Sequence, residues 1–107
     1  MEFKEYQQKA ARTMSGGIEE REKANMCMGL AGETGEVIDL MKKHLYHGHD
    51  LRLDKVQEEL GDVLWYVAGL CEVLGLSMAD VAQANVNKLC ARYPEGFSEE
   101  RSKNRDG

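Results

Sequence analysis

The sequence predicts an all-α protein built from four main helices. Apolar residues recur at spacings of three and four along nearly the whole chain, as in the series Leu60, Val63, Leu64 and Val67. No stretch has the strict alternation of apolar and polar residues that is typical of a half-buried strand. The single proline, Pro94, stands near the end of the chain and leaves the long helical patterns uninterrupted.

Residues that break or cap helices divide the chain into these four elements. Ser15–Gly17 separates the first helix from the second, Gly48 suits a left-handed turn after the second, and Gly75 ends the third. Asp54 is the expected N-cap of the third helix, and Ser77 opens the fourth with a capping box. The expected helices are residues 2–14, 18–46, 54–74 and 77–92, followed by a polar tail, residues 98–107, that we expect to be mobile unless a partner orders it.

Length and composition favour one soluble globular domain, residues 1–107. The chain is 42% hydrophobic and 31% charged, with a net charge of −5, which argues against a nucleic-acid polymer as partner. The charged start and the lack of a long apolar run argue against a signal peptide or a membrane span. Three separated cysteines, Cys27, Cys71 and Cys90, favour the reducing cytoplasm, and we expect each to be buried as a small apolar residue.

Self-association is expected from the same pattern. Four helices, one of them long, provide a limited core for 107 residues. Gly29, Gly32 and Gly35 place small residues along the second helix and allow another backbone to approach it closely. We expect dimerisation through the long helices.

Two acidic pairs are the most informative feature of the sequence. Glu33 and Glu36 lie three residues apart on the second helix, and Glu59 and Asp62 lie three apart on the third. Both pairs are equally far from the predicted turn at His47 and Gly48. An antiparallel hairpin therefore brings the four carboxylates to the same level.

Four carboxylates at one level repel one another unless a cation binds them. Because these ligands offer only oxygen, Mg²⁺ or Mn²⁺ fits better than zinc. The alternative is an ordinary solvated acidic face. The symmetry of the two pairs and the glycines beside them, Gly32, Gly35 and Gly61, favour the cation site.

Cations and an aromatic side chain extend this pattern. Lys55 and Tyr66 share one stripe of the third helix with Glu59 and Asp62, which suits a ligand with a polyphosphate end and a planar end. On the fourth helix, one stripe carries residues that could bind phosphate: Asn85, Lys88 and Arg92. Lys88 and Arg92 could equally complement the carboxyl end of that helix.

The stretches 29–43, 54–70 and 85–98 resemble the all-α nucleoside triphosphate pyrophosphohydrolases of MazG type. The double motif ExxE and ExxD, here separated by 22 residues, is the specific part of the resemblance. It implies a four-helix-bundle-like fold and a homodimer or a dimer of dimers. It also implies Mg²⁺-dependent hydrolysis of nucleoside triphosphates to the monophosphate and pyrophosphate, with base and sugar left open.

The resemblance implies a role for each matching residue. Glu33, Glu36, Glu59 and Asp62 match metal ligands, and Glu33 or Glu36 is our candidate for the carboxylate that accepts a proton from water. The other matches bind substrate: Lys55, Lys88 and Arg92 near the phosphates, Asn85 facing them, and Tyr66 near the sugar or base. Lys55 is also a candidate catalytic residue, since its charge would stabilise the phosphoryl group during the reaction.

A histidine-rich turn, His44, His47 and His49, departs from the family pattern. It could be a solvated turn, a lid over the nucleotide or an adventitious metal site. The expected role of this hydrolysis is house-cleaning, the removal of canonical or damaged nucleoside triphosphates from the nucleotide pool. Two alternatives to this role stay open. One is phosphoribosyl-ATP pyrophosphohydrolysis in histidine synthesis, and the other is a non-catalytic helical module that senses nucleotides or binds a partner.

Overall fold

The computed structural model describes residues 1–104 and consists of helices and their connections. An isolated bridge between Pro94 and Gly96 is the only β-type pairing in this part of the chain, so the all-α prediction is confirmed. The helices are α1 (Phe3–Ala11), α2 (Glu19–Tyr46), α3 (Leu53–Leu74), α4 (Met78–Arg92) and α5 (Glu99–Lys103).

Helices α2 and α3 form a long antiparallel hairpin, which is the main packing unit of the molecule. Gly48 ends α2 with a φ of 72°, and the amides of His47 and His49 both donate to the carbonyl oxygen of Lys43. This is the glycine-terminated helix end that the sequence predicts. The turn therefore lies where it brings the two acidic pairs to one level.

Helix α1 packs across α3 and α4 through the buried side chain of Gln7. Its amide nitrogen donates to Glu72 Oε1 and to the carbonyl oxygen of Leu76, both at 2.9 Å. Its amide oxygen accepts from the backbone nitrogen of Met78 at 2.7 Å. A single glutamine thus ties α1 to the turn between α3 and α4, a role that sequence analysis did not identify.

The core is small, as the composition predicts. The buried apolar side chains of the described residues are Ala10, Met26, Ala68, Cys71 and Met78. Several large apolar residues near the hairpin end of α2 and α3 are exposed instead: Ile38, Leu45, Tyr46, Leu53 and Leu60.

The N-cap prediction for α3 is wrong. The helix begins at Leu53, and its N-cap, Arg52, makes no side-chain capping bond. The carboxylate of Asp54 instead accepts from the Arg52 guanidinium at 2.9 Å, which removes it from the capping position. Ser77 does cap α4 as predicted, because its hydroxyl accepts from the amide of Asp80 at 3.3 Å.

One further expectation needs correction. Only Cys71 is buried, whereas Cys27 and Cys90 are exposed; Cys27 follows the buried Met26 and points away from the packed face of α2.

The polar tail contains α5, Glu99–Lys103, where the Ser98 hydroxyl accepts from the amide of Arg101 and caps the helix. The mobility of this tail stays a prediction. Residues 105–107 of the expected tail lie outside the described residues.

Within residues 1–104, no single helix is long and apolar enough to cross a membrane. Helices α3 and α4 pass that test only when taken together, and they meet at an angle of 107°.

Candidate metal centre

Three of the four predicted carboxylates converge in the middle of the hairpin. Glu33 of α2 and Glu59 and Asp62 of α3 each offer an oxygen, and these oxygens all lie within 4.8 Å of one another. Glu33 and Glu59 are half-buried, and Asp62 is exposed. We call these three residues the acidic cluster. Its place follows from the local sequence, since both helices have the regular spacing that puts residues three apart on one side.

The electrostatics of the acidic cluster show the expected conflict between like charges. A hydrogen bond with the Glu33 carboxyl raises the pKa of Glu59 above its ordinary value. Desolvation and repulsion from Glu33 and Asp62 act in the same direction. A carboxyl whose ionised form is disfavoured in this way gains from any cation that binds between it and its neighbours.

The donor set of the acidic cluster fits a hard divalent cation. It offers carboxylate oxygens alone, and mutual repulsion among these carboxylates favours a bound cation. Mg²⁺ retains several of its waters and needs few protein ligands, so three carboxylates are a sufficient anchor. The residues present therefore fit the Mg²⁺ or Mn²⁺ expected from the sequence.

Glu36 lies outside this group of three. It is exposed, one helical turn nearer the end of the hairpin, where its charge contributes to the raised pKa of Lys43. The structure thus brings one residue of the first acidic pair and both of the second into the cluster. Its role as a fourth ligand stays a prediction.

Lys55 lies one turn before Glu59, but its ammonium group contacts a different carboxylate. Its Nζ atom is 3.5 Å from Oε2 of Glu58 on the exposed side of α3. The pair is solvated and of low energy, so a phosphate could displace Glu58 easily. Its predicted contact with phosphate stays a prediction.

Tyr66 lies one turn beyond Asp62, with its ring against the backbone of Gly29 on α2. The rings of Tyr66 and Trp65 meet edge to face, with centroids 5.0 Å apart. The aromatic residue predicted near the base is thus held between the two helices, next to the acidic cluster.

The candidate phosphate ligands of α4 lie on a helix that meets α3 at a bend of 107° and packs on α1 and α3. Asn85 and Lys88 are exposed, and within residues 1–104 neither forms a hydrogen bond or ion pair with the cluster. Arg92 is half-buried at the last position of α4. The contact of these three residues with phosphate stays a prediction.

The three histidines of the turn do not form a group of close ligands in the described residues. In the described residues, the acidic cluster is the one group of three or more potential ligands whose donor atoms lie close enough to share an ion. His44 Nδ1 lies 2.9 Å from the carbonyl oxygen of His49, so the tautomer with a proton on Nδ1 donates a hydrogen bond that closes the turn. All three histidines are exposed, which agrees with a solvated turn.

Comparison with known proteins identifies the family. Residues 21–97 match the MazG nucleotide pyrophosphohydrolase domain. The chain belongs to this family. It is also 40% identical over 82 residues to the Gene 37 protein of Mycobacterium phage L5, an alignment that covers 73% of this chain and 72% of the relative. No solved structure matches the chain significantly.

The part of the chain that matches the MazG family contains α3, α4 and all but the first two residues of α2, and with them every predicted site residue. Helix α1 lies before it and brings one side chain that sequence analysis missed. The Tyr6 hydroxyl is close enough to Asp62 for the carboxylate charge to help raise its pKa, although burial is the larger cause. Little in the sequence indicates that Tyr6 lies near the acidic cluster, because this residue belongs to the ordinary apolar stripe of α1.

Proposed function

We propose that this chain is a Mg²⁺-dependent pyrophosphohydrolase that converts nucleoside triphosphates, ribose or deoxyribose, to the monophosphate and pyrophosphate. The observation that carries the proposal is the convergence of Glu33, Glu59 and Asp62 in a chain of the MazG family. Mn²⁺ would substitute for Mg²⁺, since both cations prefer carboxylate oxygen. The family and the oxygen-only donor set together support this reaction class.

In this proposal the acidic cluster holds the cation and Glu36 accepts a proton. Bound Mg²⁺ supplies Lewis acidity and neutralises charge that develops on the phosphates. The carboxylate of Glu36 is exposed and stands outside the group of three, so it is free to take a proton from the attacking water. Of the two candidates from the sequence, Glu36 is therefore preferred over Glu33.

The remaining residues would bind the substrate. Lys55 would exchange its contact with Glu58 for a phosphate oxygen, and Tyr66 would border the sugar or base. Asn85, Lys88 and Arg92 would reach the triphosphate from α4. Asn85 and Lys88 are exposed and form no hydrogen bond or ion pair with the acidic cluster of their own chain, and we propose that a second copy brings these residues to the site.

The proposed cellular location and binding partners follow from the same chemistry. A nucleotide-pool enzyme with three free cysteines would work in the cytoplasm, where its substrates are found. The proposed partners are the nucleoside triphosphate and further copies of this chain, with no nucleic-acid polymer and no membrane.

The test is product analysis after incubation with each common NTP and dNTP in the presence of Mg²⁺. We expect monophosphate and pyrophosphate in equal amounts from at least one of them. Release of inorganic phosphate and a diphosphate would contradict the proposed bond cleavage. Adding phosphoribosyl-ATP to the panel separates the histidine-synthesis alternative, and binding of a nucleotide with no product identifies a non-catalytic sensor.

A further inference from the structure

Helix α3 contacts α2 closely where the Tyr66 ring lies against Gly29. A Cβ atom added at Gly29 would stand 2.6 Å from Cδ1 of Tyr66 and closer still to Cε1 and Cζ. Real Cβ atoms do not approach a ring to that distance, so the contact requires glycine at this position. The two other glycines of this stripe, Gly32 and Gly35, face open space, where an added Cβ would meet no atom within 4 Å.

A second close contact between a glycine and a side chain lies one turn further from the acidic cluster. Here the glycine is on α3 and the side chain is on α2. The Met26 side chain of α2 lies against Gly69 of α3, where an added Cβ would stand 2.9 Å from its Cε and 3.1 Å from its Cγ. One step of three residues along both helices leads from this contact to Gly29 and Tyr66. The next step of four residues leads to Glu33 and Asp62. The two glycine contacts and the acidic cluster therefore share one register of the hairpin.

The Tyr66 ring is held in this position from the other side as well. Trp65 meets it edge to face at 5.0 Å and an interplanar angle of 89°. The Trp65 indole nitrogen donates to the Thr13 hydroxyl at 2.8 Å, and that hydroxyl donates to the carbonyl oxygen of Ala10 at 2.7 Å. A rigid aromatic ring supported in this way transmits a change at Gly29 to the helix that carries it.

We propose that the contact between Tyr66 and Gly29 is a positioning element, which sets the separation of α2 and α3 at which Glu33, Glu59 and Asp62 converge on one cation. This inference rests on the proposed function, since it assumes that the acidic cluster binds a divalent metal. Tyr66 is a positioning residue in it whether or not the ring also borders a nucleotide.

The physical reason is the short distance between the contact and the acidic cluster. Both partners lie one helical turn from a member of the cluster, Gly29 from Glu33 and Tyr66 from Asp62. The separation of two packed helices is set by the side chains at their contact. A methyl group at position 29 must move the ring or the helix, and either change separates oxygens that now lie within 4.8 Å.

The test is the affinity for Mn²⁺ alone, measured by electron paramagnetic resonance on the whole chain without nucleotide. We expect Gly29→Ala to weaken Mn²⁺ binding by about ten- to a hundredfold, the range for loss of a residue that orients metal ligands. Tyr66→Leu, which removes the ring but keeps an apolar side chain, tests the same contact from α3 and should also weaken it. In a Tyr66→Leu background, Gly29→Ala should cause little further loss.

Two matched variants separate positioning from general packing. Gly69→Ala disturbs the second glycine contact, which lies two helical turns from Asp62, so Mn²⁺ affinity should stay within about twofold of the unchanged chain. Tyr66→Phe retains the ring and should also bind Mn²⁺ normally. Thermal melting without metal, measured on all four variants, reports any loss of stability separately.

The outcomes distinguish this inference from the proposed function. Normal Mn²⁺ affinity in Gly29→Ala and Tyr66→Leu would overturn the positioning role alone. Equal weakening by Gly69→Ala would also overturn it, because packing in general would then explain the effect. No Mn²⁺ binding by the unchanged chain would overturn the metal site and the positioning role together. Mn²⁺ binding without hydrolysis of any nucleotide would contradict only the proposed reaction.

Discussion

Glu59 is the residue in which stability and proposed function oppose each other most clearly. Its neighbours raise its pKa, so its ionised form destabilises the metal-free fold, and the same crowding prepares the acidic cluster for a cation. Asp62 is exposed and shares that cluster. Variants at these two positions therefore separate the effect of the acidic cluster on stability from its effect on turnover.

Glu59→Gln and Asp62→Asn should each lower turnover at least about a hundredfold, because each removes a ligand of a cation that contributes several kcal/mol to the reaction. Each should leave the metal-free chain as stable as before or more stable, since one repelling charge is lost. Steady-state kinetics and urea denaturation measure the two effects. Glu58→Gln is the matched control, because Glu58 is the next residue on α3 and lies outside the acidic cluster. Hydrolysis near the normal rate in either cluster variant would show that the ligand assignment is wrong.

The raised pKa of Glu59 also predicts how stability depends on pH. The folded chain holds the Glu59 proton more tightly than the unfolded chain, whose carboxyl titrates near 4.5. The contribution of this group is therefore fully present below that pH and is lost as pH rises through the folded pKa. Melting of the metal-free chain and of Glu59→Gln across this range should show the difference in stability growing with pH in favour of the variant. A constant difference would contradict the assigned repulsion.

Helix α4 carries the candidate phosphate ligands, and within residues 1–104 its Lys88 forms no hydrogen bond or ion pair with the acidic cluster. If Lys88 binds phosphate, Lys88→Ala should reduce kcat/KM about ten- to a hundredfold, corresponding to roughly 1.5–3 kcal/mol for a hydrogen bond to a charged group. If it only complements the end of α4, it should cost about 0.3–1 kcal/mol of stability and little activity. Lys103→Ala is a control at another exposed lysine.

A mixing experiment shows which chain supplies Lys88. Inactive Glu59→Gln chains mixed with Lys88→Ala chains should regain activity if the acidic cluster and Lys88 of one site come from different copies. No recovery in a mixture that exchanges subunits would assign Lys88 to the site of its own chain.

The helices show where local sequence was sufficient. Gly48, Gly75 and Ser77 end or begin helices through bonds within a few residues, so their predicted roles are confirmed. Asp54 was misjudged because a cap and an ion pair compete for one carboxylate, and the sequence does not rank Arg52 above the helix amides. The direction of α4 depends on packing around Gln7, which a spacing pattern does not contain.

The sequence predicts that both acidic pairs lie at one level of the hairpin, but it does not predict which of the four carboxylates converge. Equal distances from the turn bring both acidic pairs to one level, but the side-chain directions and the helix separation decide which oxygens meet. Glu33 joins the cluster and Glu36 does not. The close contact at Gly29 was anticipated as an approach between helices, whereas the partner is a tyrosine of the same chain.

At the scale of the whole molecule, the exposed apolar residues of the hairpin end are the unexplained surface. Ile38 and Leu45 lie seven residues apart on α2, as do Leu53 and Leu60 on α3, so each pair lies on one stripe. The small core gives a single chain little apolar burial of its own. Burial against a second copy would account for both features.

We therefore expect the chain to sediment as a dimer or a dimer of dimers. Leu53→Glu should shift it towards monomer, because Leu53 is 71% exposed at the hairpin end and a charge there could not be buried in an interface. Ile18→Glu is the matched control, since Ile18 is 67% exposed at the start of α2. A monomeric unchanged chain at micromolar concentration in analytical ultracentrifugation would contradict the expectation.

Thermal melting with and without Mg²⁺ tests most directly the central claim that Glu33, Glu59 and Asp62 form a divalent cation site. A cation that binds only the folded chain should add about 2.7 kcal/mol of stability at a hundredfold excess over its Kd. The melting temperature should rise with Mg²⁺ or Mn²⁺, should not rise with Na⁺ at equal ionic strength, and should lose this response in Glu59→Gln. An identical melting temperature with and without Mg²⁺, or an equal rise in Glu59→Gln, would contradict the claim.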